Sequence, residues 1–418
     1  MGMKIKKIVW FIGTIEDLKF LNRFSVNFEG EIDVFYINLI PWILDVFTRR
    51  NKVLPRIHKS DSIFSFSVIS EGVFNVQSGR LSKKDTIKAY TATWLRLSER
   101  YKETKNLLFM IPSGRHVHHL AATRYAIEND IDKLYINYSN FPGFTVFDPE
   151  GTDCESLIAK EAGVLNRLFP KYESSNQVKE IFEKFTQLKQ GQKVLPQRHK
   201  PGFRELIKKC AFRLESILQK TTEIYSDRRH YPKLSNETCA GEIKKDLPAL
   251  IYKSPEKECP FAFFPLQVST DQQVLVNYNK HSLYNAIDEA VAYAKKLKLI
   301  LFIKEHPAER NPLAVKNYLR HLLENNKDVH LTHLSVQELL KLNSTVITIN
   351  STVGLEARLL LKDVHFLGRS FYSDLTDSEL AKYLNDFVIE VDYHSNNIIG
   401  VEKINQILAC CKYGYRTI

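Results

Sequence analysis

The fold of this chain is decided by two stretches, Phe302-Ile-Lys-Glu-His-Pro-Ala-Glu-Arg310 and Thr348-Ile-Asn-Ser-Thr-Val-Gly-Leu-Glu356. Each is an apolar, strand-like run that ends abruptly in polar residues. A third run, Phe261-Ala-Phe-Phe-Pro-Leu-Gln267, leads into Val268-Ser-Thr-Asp271 in the same way. In an open parallel α/β sheet, ligands bind beyond the carboxyl ends of the strands. The three ends therefore predict one polar pocket, suited to a nucleotide and its phosphate, that contains Gln267, Asp271, Lys304, His306, Asn350, Ser351 and Thr352.

Strand-like runs and helical periodicity alternate along both halves of the chain, which predicts parallel, doubly wound sheets. Strands are predicted at 7–12, 32–37, 63–68, 106–111, 132–137, 261–266, 299–303, 329–332, 346–349 and 364–367. Helices are predicted at 86–101, 118–129, 279–297, 313–325, 335–342 and 355–361, and a turn-rich loop at 141–153.

The length of 418 residues exceeds one average core, so two domains are expected. We predict an α/β protein with two Rossmann-like domains, a GT-B-like architecture with a cleft between the domains. Residues 1–172 would form the N-terminal, acceptor-side domain and 247–418 the C-terminal, nucleotide-sugar-binding domain. Residues 173–246 would form a basic helical insert between them.

The composition is that of a soluble globular protein, with 44% hydrophobic and 26% charged residues. No apolar run approaches the ~20 residues of a membrane span. The six cysteines include no CxxC pair, so we expect reduced thiols and a cytoplasmic location. No metal-ligand motif surrounds His116, His118 and His119, and no glycine-rich dinucleotide or phosphate loop occurs.

The net charge of +11 favours anionic partners. About +7 of it lies between Lys193 and Lys245, where a stretch from Lys200 to Arg213 has the spacing of a basic amphipathic helix. Such a helix either binds peripherally to an anionic membrane, here the inner face of the cytoplasmic membrane, or packs as a solvated helix at the domain junction. No nucleic-acid-binding signature is present, so we predict no nucleic-acid partner.

The second half resembles the bacterial capsule polysaccharide synthesis family, which includes the β-Kdo glycosyltransferases. The resemblance rests on three motifs that occur here in the same order as in the family. They are Pro265-Leu-Gln-Val-Ser-Thr-Asp271, Lys304-Glu-His-Pro307 and Asn350-Ser-Thr-Val-Gly-Leu-Glu356. The similar stretch runs from about Phe261 to Phe371.

The first half resembles the family more faintly, through Ser113-Gly-Arg115 and through Phe141-Pro-Gly143 with Asp148-Pro-Glu-Gly151. One position departs from the family pattern, because Asn137 stands where the family usually has an acidic residue. Candidates for the acceptor or sugar side are Arg115, Asn137, Asp148 and Glu150, and Asp153 is a further candidate for acceptor activation.

The resemblance implies an enzyme that transfers an ulosonic acid, with Kdo from CMP-Kdo as the first candidate, to a lipid or saccharide acceptor. It implies contact of Ser351 and Thr352 with the donor phosphate, at a helix N-terminus that favours anions. His306, held before Pro307, would donate to the leaving phosphate and Lys304 would supply positive charge. Gln267, Pro307 and Asn350 complete the donor side, and Glu356 would accept from the ribose hydroxyls.

Asp271 is the candidate catalytic carboxylate, as a nucleophile on the anomeric carbon or as a base. A CMP donor has no diphosphate that requires Mg²⁺, so we predict neither metal nor cofactor. Three other functions stay open: a CDP-polyol phosphotransferase, a sialyltransferase-like enzyme, and a non-catalytic component of capsule assembly or export. A nucleotide-sugar epimerase shares the fold, but would be expected to carry paired acid and base carboxylates in its N-terminal half.

Overall fold

The computed structural model describes residues 5–46, 48, 50–54, 74–171, 174–190, 217, 250–309, 311–342 and 344–414. The described residues divide into two compact units. Among the described residues, unit 1 contains those up to 171, residue 217 and 378–414, and unit 2 contains those within 174–190 and 250–377.

Unit 1 is built on a six-stranded sheet. Its strands are β1 Lys7–Ile12, β2 Glu31–Tyr36, β3 Asn51–Val53, β4 Leu107–Pro112, β5 Asp132–Tyr138 and β6 Thr145–Asp148. The spatial order is β3-β2-β1-β4-β5-β6, in which all neighbours are parallel except β5 and β6. This is the Rossmann order, and it reverses direction between β1 and β4.

The central strand of unit 1 explains why this sheet is buried on both faces. Ile8, Trp10 and Ile12 point into one apolar core, and Val9 and Phe11 point into another on the opposite face. A continuous apolar run of this kind is typical of parallel sheets that carry helices on both sides.

The helices of unit 1 lie mainly in the segments that connect its strands. They span Ile15–Ser25, Leu39–Leu44, Phe74–Gln77, Lys83–Arg100, Val117–Glu128, Leu157–Lys160, Val164–Leu168, Asp377–Lys382 and Val401–Ala409, with short helical turns at Asp153–Glu155, Tyr383–Phe387 and Cys410–Gly414. The first helix begins in a capping box, where Thr14 accepts from the Asp17 N–H and Asp17 accepts from the Thr14 N–H.

The last part of the chain packs into the core of unit 1. Ile389, Val391, Tyr393 and residues of the helix Val401–Ala409 lie in the same apolar cluster as Trp10. Residues 378–414 were expected in the C-terminal domain, so the observed unit differs from the predicted boundary here. Hydrophobic periodicity predicts that a helix has a buried face, but it does not say which sheet covers that face.

Unit 2 is built on a five-stranded, wholly parallel sheet. Its strands are β7 Phe261–Pro265, β8 Ile300–Lys304, β9 Val329–Leu331, β10 Ser344–Thr348 and β11 Val364–Phe366. The spatial order is β11-β10-β7-β8-β9, again the Rossmann order, with the reversal between β7 and β10. Ala262, Phe264, Leu301 and Ile347 contribute to the core on one face, and Phe261, Phe263, Phe302 and Val346 to the core on the other.

The helices of unit 2 include one that precedes its sheet. They span Ser175–Gln190, Gln272–Leu275, Leu283–Lys296, Pro312–Asn325, Val336–Lys341 and Thr352–Leu359. The helix Ser175–Gln190 was assigned to the basic insert, but it packs within unit 2 and contacts the helix Thr352–Leu359.

The two Rossmann-like units confirm the predicted fold class. Every predicted strand among the described residues is present, and no boundary shifts by more than two residues. Two strands were not predicted: the short edge strand β3, and β6, which lies inside the segment predicted as a loop. The predicted strand at 63–68 and the basic segment Lys193–Lys245 lie outside the described residues. In the part of the chain that is described, no helix has the length and apolar character needed to cross a bilayer.

Candidate functional site

The structure brings the three predicted strand ends together on one edge of the unit 2 sheet. β7 lies between β10 and β8, and the paired residues Pro265 and Lys304 show that β7 and β8 end at the same level. The reversal of strand order falls between β7 and β10. Open α/β sheets bind ligands at this switch point, because the two following helices diverge there and leave a crevice.

Gln267 and Asn350 join the loops on the two sides of this switch point. The Gln267 Nε2 donates to Asn350 Oδ1 at 3.1 Å, and the Asn350 Nδ2 donates to the carbonyl of Arg369 at 3.1 Å. Both side chains are 9% exposed. Their amide groups are thus largely used within the protein, and their observed task is to hold the edge of the site in shape.

Glu309 holds the β7 and β8 loops together, and sequence reasoning assigned it no role. Its carboxylate accepts from the Ser269 N–H and from the Ser269 hydroxyl, each at 2.8 Å, and from the Asn311 N–H at 2.8 Å. Hydrogen bonds to a charged group are stronger than neutral ones. The only sequence signal was an acidic residue soon after Lys304-Glu-His-Pro307, in the same strand-end loop.

His306 is positioned as a neutral hydrogen-bond donor. Its Nδ1 accepts from the Ala308 N–H at 3.1 Å, which assigns the ring proton to Nε2. Burial lowers the pKa of His306 below its usual value, against the opposing effect of the Asp271 and Glu309 carboxylates. At neutral pH the ring therefore presents an uncharged Nε2–H, which can donate to an anion.

Lys304, at the end of β8, is half-buried, and Pro307 is exposed. The Lys304 Nζ lies 3.5 Å from the carbonyl of His333. Burial lowers the pKa of Lys304, and the nearby Glu338 and Glu305 carboxylates raise it. Lys304 thus supplies a partly desolvated positive charge at the carboxyl end of β8, and such a charge attracts an anion more strongly than it would in bulk water.

Ser351 is the N-cap of the helix Thr352–Leu359. Its Oγ accepts from the Val353 N–H at 3.0 Å, and its own N–H donates to Thr348 Oγ1 at 3.1 Å. The hydroxyl proton of Ser351 is not used by the cap, so the same side chain can donate to a ligand. Thr352 is half-buried at the first helical position. A Cβ on Gly354 would lie 2.8 Å from the Thr348 side chain and 2.9 Å from the Tyr372 hydroxyl, so only glycine lets the helix pack this closely on the strand.

Asp271 lies at the same edge but is exposed, and it caps the short helix Gln272–Leu275. Its Oδ1 accepts from the Gln273 N–H at 2.9 Å. Capping occupies one carboxylate oxygen, and the observed geometry gives Asp271 this structural task. Its catalytic role stays a prediction.

Glu356 faces the helix Ser175–Gln190. Its carboxylate is 3.7 Å from the Lys189 Nζ, and its side chain is 13% exposed. Burial raises the pKa of Glu356, and Lys189 partly offsets that effect. The pair lines a cavity of about 310 Å³ with Gln337 and Leu359. Sequence reasoning missed Lys189, because it lies in the segment assigned to the basic insert.

In unit 1, Asp148 and Glu150 have structural partners. Asp148 is fully buried and accepts from the N–H groups of Glu150, Gly151 and Leu157 at 2.8 to 3.1 Å. Burial raises the pKa of Asp148 to about 7. Glu150 lies 3.8 Å from the Lys160 Nζ. Asp148 therefore fixes the turn that carries it and faces no solvent, contrary to the expectation that it acts on an acceptor.

Arg115 and Asn137 lie at the carboxyl ends of β4 and β5. Arg115 donates to the carbonyl of Thr152 at 3.1 Å, and the Asn137 Nδ2 donates to Asp153 Oδ1 at 3.1 Å. Both residues are half-buried. Among the residues that the structure describes, no group of three or more His, Cys, Asp or Glu side chains has the geometry of a metal site.

Two Rossmann-like sheets, one with polar side chains after the carboxyl ends of its strands, define a doubly wound α/β protein. The model of the family "Capsule polysaccharide biosynthesis protein" matches residues 170–383. The chain belongs to this capsule polysaccharide biosynthesis family.

Several individual proteins are also similar to this chain. Protein FixF of Sinorhizobium fredii (strain NBRC 101917 / NGR234) is 36% identical over 115 residues, and that alignment spans 27% of this chain and 27% of FixF. The β-Kdo 2,7 transferase of Thermosulfurimonas dismutans KpsC has a TM-score of 0.47 and 12% identity, over 96% of this chain and 99% of that one.

Two further structures are more distant. The β-Kdo 2,4 transferase of the same KpsC has a TM-score of 0.41 and 14% identity, over 74% of this chain and 89% of that one. A UDP-GlcNAc 2-epimerase of Methanocaldococcus jannaschii has a TM-score of 0.31 and 12% identity, over 98% of this chain and all of that one. These likenesses carry no assignment of activity to this chain.

Proposed function

We propose that this protein is a glycosyltransferase of capsule or surface polysaccharide synthesis. In this proposal it transfers an ulosonic acid, with Kdo as the first candidate, from a CMP-activated donor to a lipid or saccharide acceptor. The observation that carries the proposal is that Ser351, His306 and Lys304 all lie at the carboxyl edge of the unit 2 sheet, Ser351 after β10 and the other two at the end of β8. Family membership supports it independently.

Each of these three side chains offers a group that suits a phosphate. Ser351 offers a hydroxyl proton beside the N-terminus of an eight-residue helix, and His306 offers its Nε2–H. Lys304 adds one positive charge. A CMP donor carries a single phosphate with one negative charge, which one cation and neutral donors can balance without a metal ion. The same groups would stabilise the phosphate as it leaves with its bonding electrons.

Asp271 is the proposed catalytic carboxylate. In a double displacement, one of its oxygens bonds to the anomeric carbon as the bond from that carbon to the CMP phosphate breaks. The acceptor oxygen then bonds to the anomeric carbon as the bond from that carbon to Asp271 breaks, and the proton of the acceptor hydroxyl passes to solvent. Asp271 is exposed at the same edge as His306, and its charge acts on that ring. The alternative role, as a base towards the acceptor, uses the same carboxylate.

Glu356 and the unit 1 side chains complete the proposal. The ribose hydroxyls would donate to the carboxylate of Glu356, which then exchanges part of its pairing with Lys189 for the ligand. Arg115 and Asn137 would contact the acceptor or the sugar carboxylate. The protein would work in the cytoplasm, where contact with the inner face of the membrane would bring it to a lipid acceptor.

Calorimetric titration of the purified chain with CMP, CDP, UMP and UDP tests the nucleotide assignment. We expect CMP to bind more tightly than UMP and to raise the melting temperature. Incubation with CMP-Kdo, CMP-sialic acid and CDP-polyols then identifies the donor. Absence of CMP binding would refute the proposal and favour a non-catalytic role in capsule assembly, whereas turnover of a CDP-polyol alone would make the chain a phosphotransferase.

A further inference from the structure

Tyr138 is a large aromatic side chain that unit 1 leaves half in water. It is the last residue of β5 and is 51% exposed. β5 runs parallel to β4, and β4 to β1, so Tyr138 lies at the carboxyl edge of the sheet. Open α/β sheets bind their ligands at this edge. A single exposed apolar residue is common on protein surfaces, so the neighbours of this ring decide what it can do.

The Tyr138 ring is held in place by a stack of buried aromatic rings. It meets Tyr393 edge-to-face, with 4.8 Å between the ring centroids, and Tyr393 stacks on Phe20 at 4.6 Å. The β6 partner of Tyr138 is Thr145, which exchanges two backbone hydrogen bonds of 2.9 Å with Ile389. The segment that carries Tyr393 is thereby fixed to the same sheet. A ring held in this way loses little side-chain freedom when a ligand binds.

Two exposed polar side chains accompany Tyr138. The centroid of the His394 ring lies 5.2 Å from that of Tyr138, and the two planes are inclined by 31°. Glu16 is exposed in the first turn of the helix Ile15–Ser25. Burial raises the pKa of the Tyr138 hydroxyl, and the charges of Asp17 and Glu16 raise it further. Tyr138 thus presents an aromatic ring with a neutral hydroxyl, beside an imidazole and a carboxylate.

A sugar ring matches this combination of groups. Its faces carry C–H bonds, whose hydrogens are attracted to the negative face of an aromatic ring. Its hydroxyl groups donate to a carboxylate and exchange hydrogen bonds with an imidazole. Small-molecule sites generally combine an aromatic surface with a few polar groups that fix the orientation of the ligand.

We propose that Tyr138 and His394 form a platform on which a sugar ring of the acceptor stacks, while Glu16 accepts hydrogen bonds from the hydroxyl groups of that sugar. This inference rests on the proposed transferase function, and it narrows the acceptor of that reaction to a saccharide. The sugar contacts themselves lie within unit 1, so they can be measured without any donor.

Saturation-transfer NMR on the full chain measures this binding, with the methyl glycosides of glucose, galactose, N-acetylglucosamine and Kdo as probes. On irradiation of the aromatic protons, we expect transfer to the ring C–H protons of at least one glycoside. Tyr138→Phe should bind it like the wild type, because the aromatic ring remains. Tyr138→Leu keeps an apolar side chain without the ring, so the Kd should become about 3–10-fold weaker. Glu16→Gln should weaken binding about fivefold, since the sugar loses a charged acceptor.

Ile127→Ala is the matched control, because Ile127 is also an exposed apolar residue of unit 1, 63% exposed on the helix Val117–Glu128. It should bind the glycoside like the wild type. The melting temperature of each variant checks that the sheet is intact, and the CMP affinity of all of them should be that of the wild type.

Absence of saturation transfer from the wild type to every one of these glycosides would overturn the inference. A Kd for Tyr138→Leu within about twofold of the wild type would overturn it as well, because an apolar surface alone would then suffice, as it does for an alkyl chain. Tyr138-dependent sugar binding in a protein that fails to bind CMP would have a different meaning. It would confirm the sugar site and refute the transferase function.

Discussion

Replacement of His306 by asparagine tests the proposed phosphate site most directly. The amide oxygen of asparagine occupies nearly the position of the histidine Nδ1, so it can still accept from the Ala308 N–H, observed at 3.1 Å. The variant lacks the Nε2–H donor, however. The turn before Pro307 is thus preserved while one contact to the ligand is removed. His306→Gln is the matched control, because its amide N–H reaches towards the Nε2 position.

The expected loss of CMP affinity follows from the protonation state of the His306 ring. Burial lowers the pKa of His306, so the free protein holds it neutral at pH 7.5. The lost contact is then a neutral N–H donating to a charged phosphate, which contributes about 1.5–3 kcal/mol. That range corresponds to a Kd for CMP that is roughly 10–150-fold weaker. Because the ring stays neutral, the affinity difference should be constant between pH 7 and 8.

Isothermal titration of CMP into wild type, His306→Asn and His306→Gln measures these values, and circular dichroism checks that each variant is folded. We expect His306→Gln to retain more affinity than His306→Asn. Equal CMP affinity in wild type and a folded His306→Asn variant would refute the placement of the phosphate at this edge. A loss of CMP affinity that appears only below pH 6.5 would refute the inference that His306 donates to the phosphate as a neutral ring.

Three other perturbations give separate tests. Asp271→Asn keeps the cap on the helix Gln272–Leu275 but removes the charge. The rate of sugar transfer should therefore fall by orders of magnitude while the melting temperature stays unchanged. Near-normal turnover would show that Asp271 has no catalytic role. Burial raises the pKa of Asp148 to about 7, so ionisation costs more in the folded than in the unfolded state. In urea denaturation, the free energy of unfolding of the wild type should fall relative to that of Asp148→Asn by up to ~4 kcal/mol as pH rises from about 4 to about 7. The opposite trend would contradict this prediction. The basic segment Lys193–Lys245 should bind vesicles of phosphatidylglycerol at low salt and release them at high salt, since each basic residue near an anionic surface contributes ~1 kcal/mol. Replacing Arg204, Lys208, Lys209 and Arg213 with glutamine should abolish sedimentation with vesicles without changing CMP affinity, and a wild type that stays in the supernatant would argue for a soluble acceptor.

The sheets were predictable because each strand is an apolar run with a sharp polar end. β1 was predicted with its observed bounds, and the three strand ends of unit 2 were predicted to meet. β6 was not predicted, because proline and glycine in the segment 141–153 indicate turns. In the structure, pairing with β5 outweighs that local preference.

The partners of individual side chains were less predictable. Gln267 and Asn350 were read as ligand contacts, but they hydrogen-bond each other across 83 positions of the chain. Asp271 was predicted as a catalytic carboxylate, and the structure also shows it exposed as the N-cap of the helix Gln272–Leu275. Lys189 and Glu356 are far apart in sequence, and only the packing of two helices brings them to 3.7 Å. Such pairs are decided by tertiary packing, which cannot be read from the spacing of residues in the sequence.

The packing of the chain's last segment into unit 1 has a consequence for biosynthesis. The Arg23 guanidinium donates to the carbonyls of Asp392, Tyr393 and Asn397, and Tyr393 donates to the buried Asp17 at 2.6 Å. Domains usually fold in the order in which the ribosome makes them. Here the first sheet to be synthesised lacks part of its core until residues 389–411 have left the exit tunnel, while unit 2 has all of its described strands earlier. We therefore expect unit 2 to mature first, and the nascent first unit to depend on chaperones in the meantime.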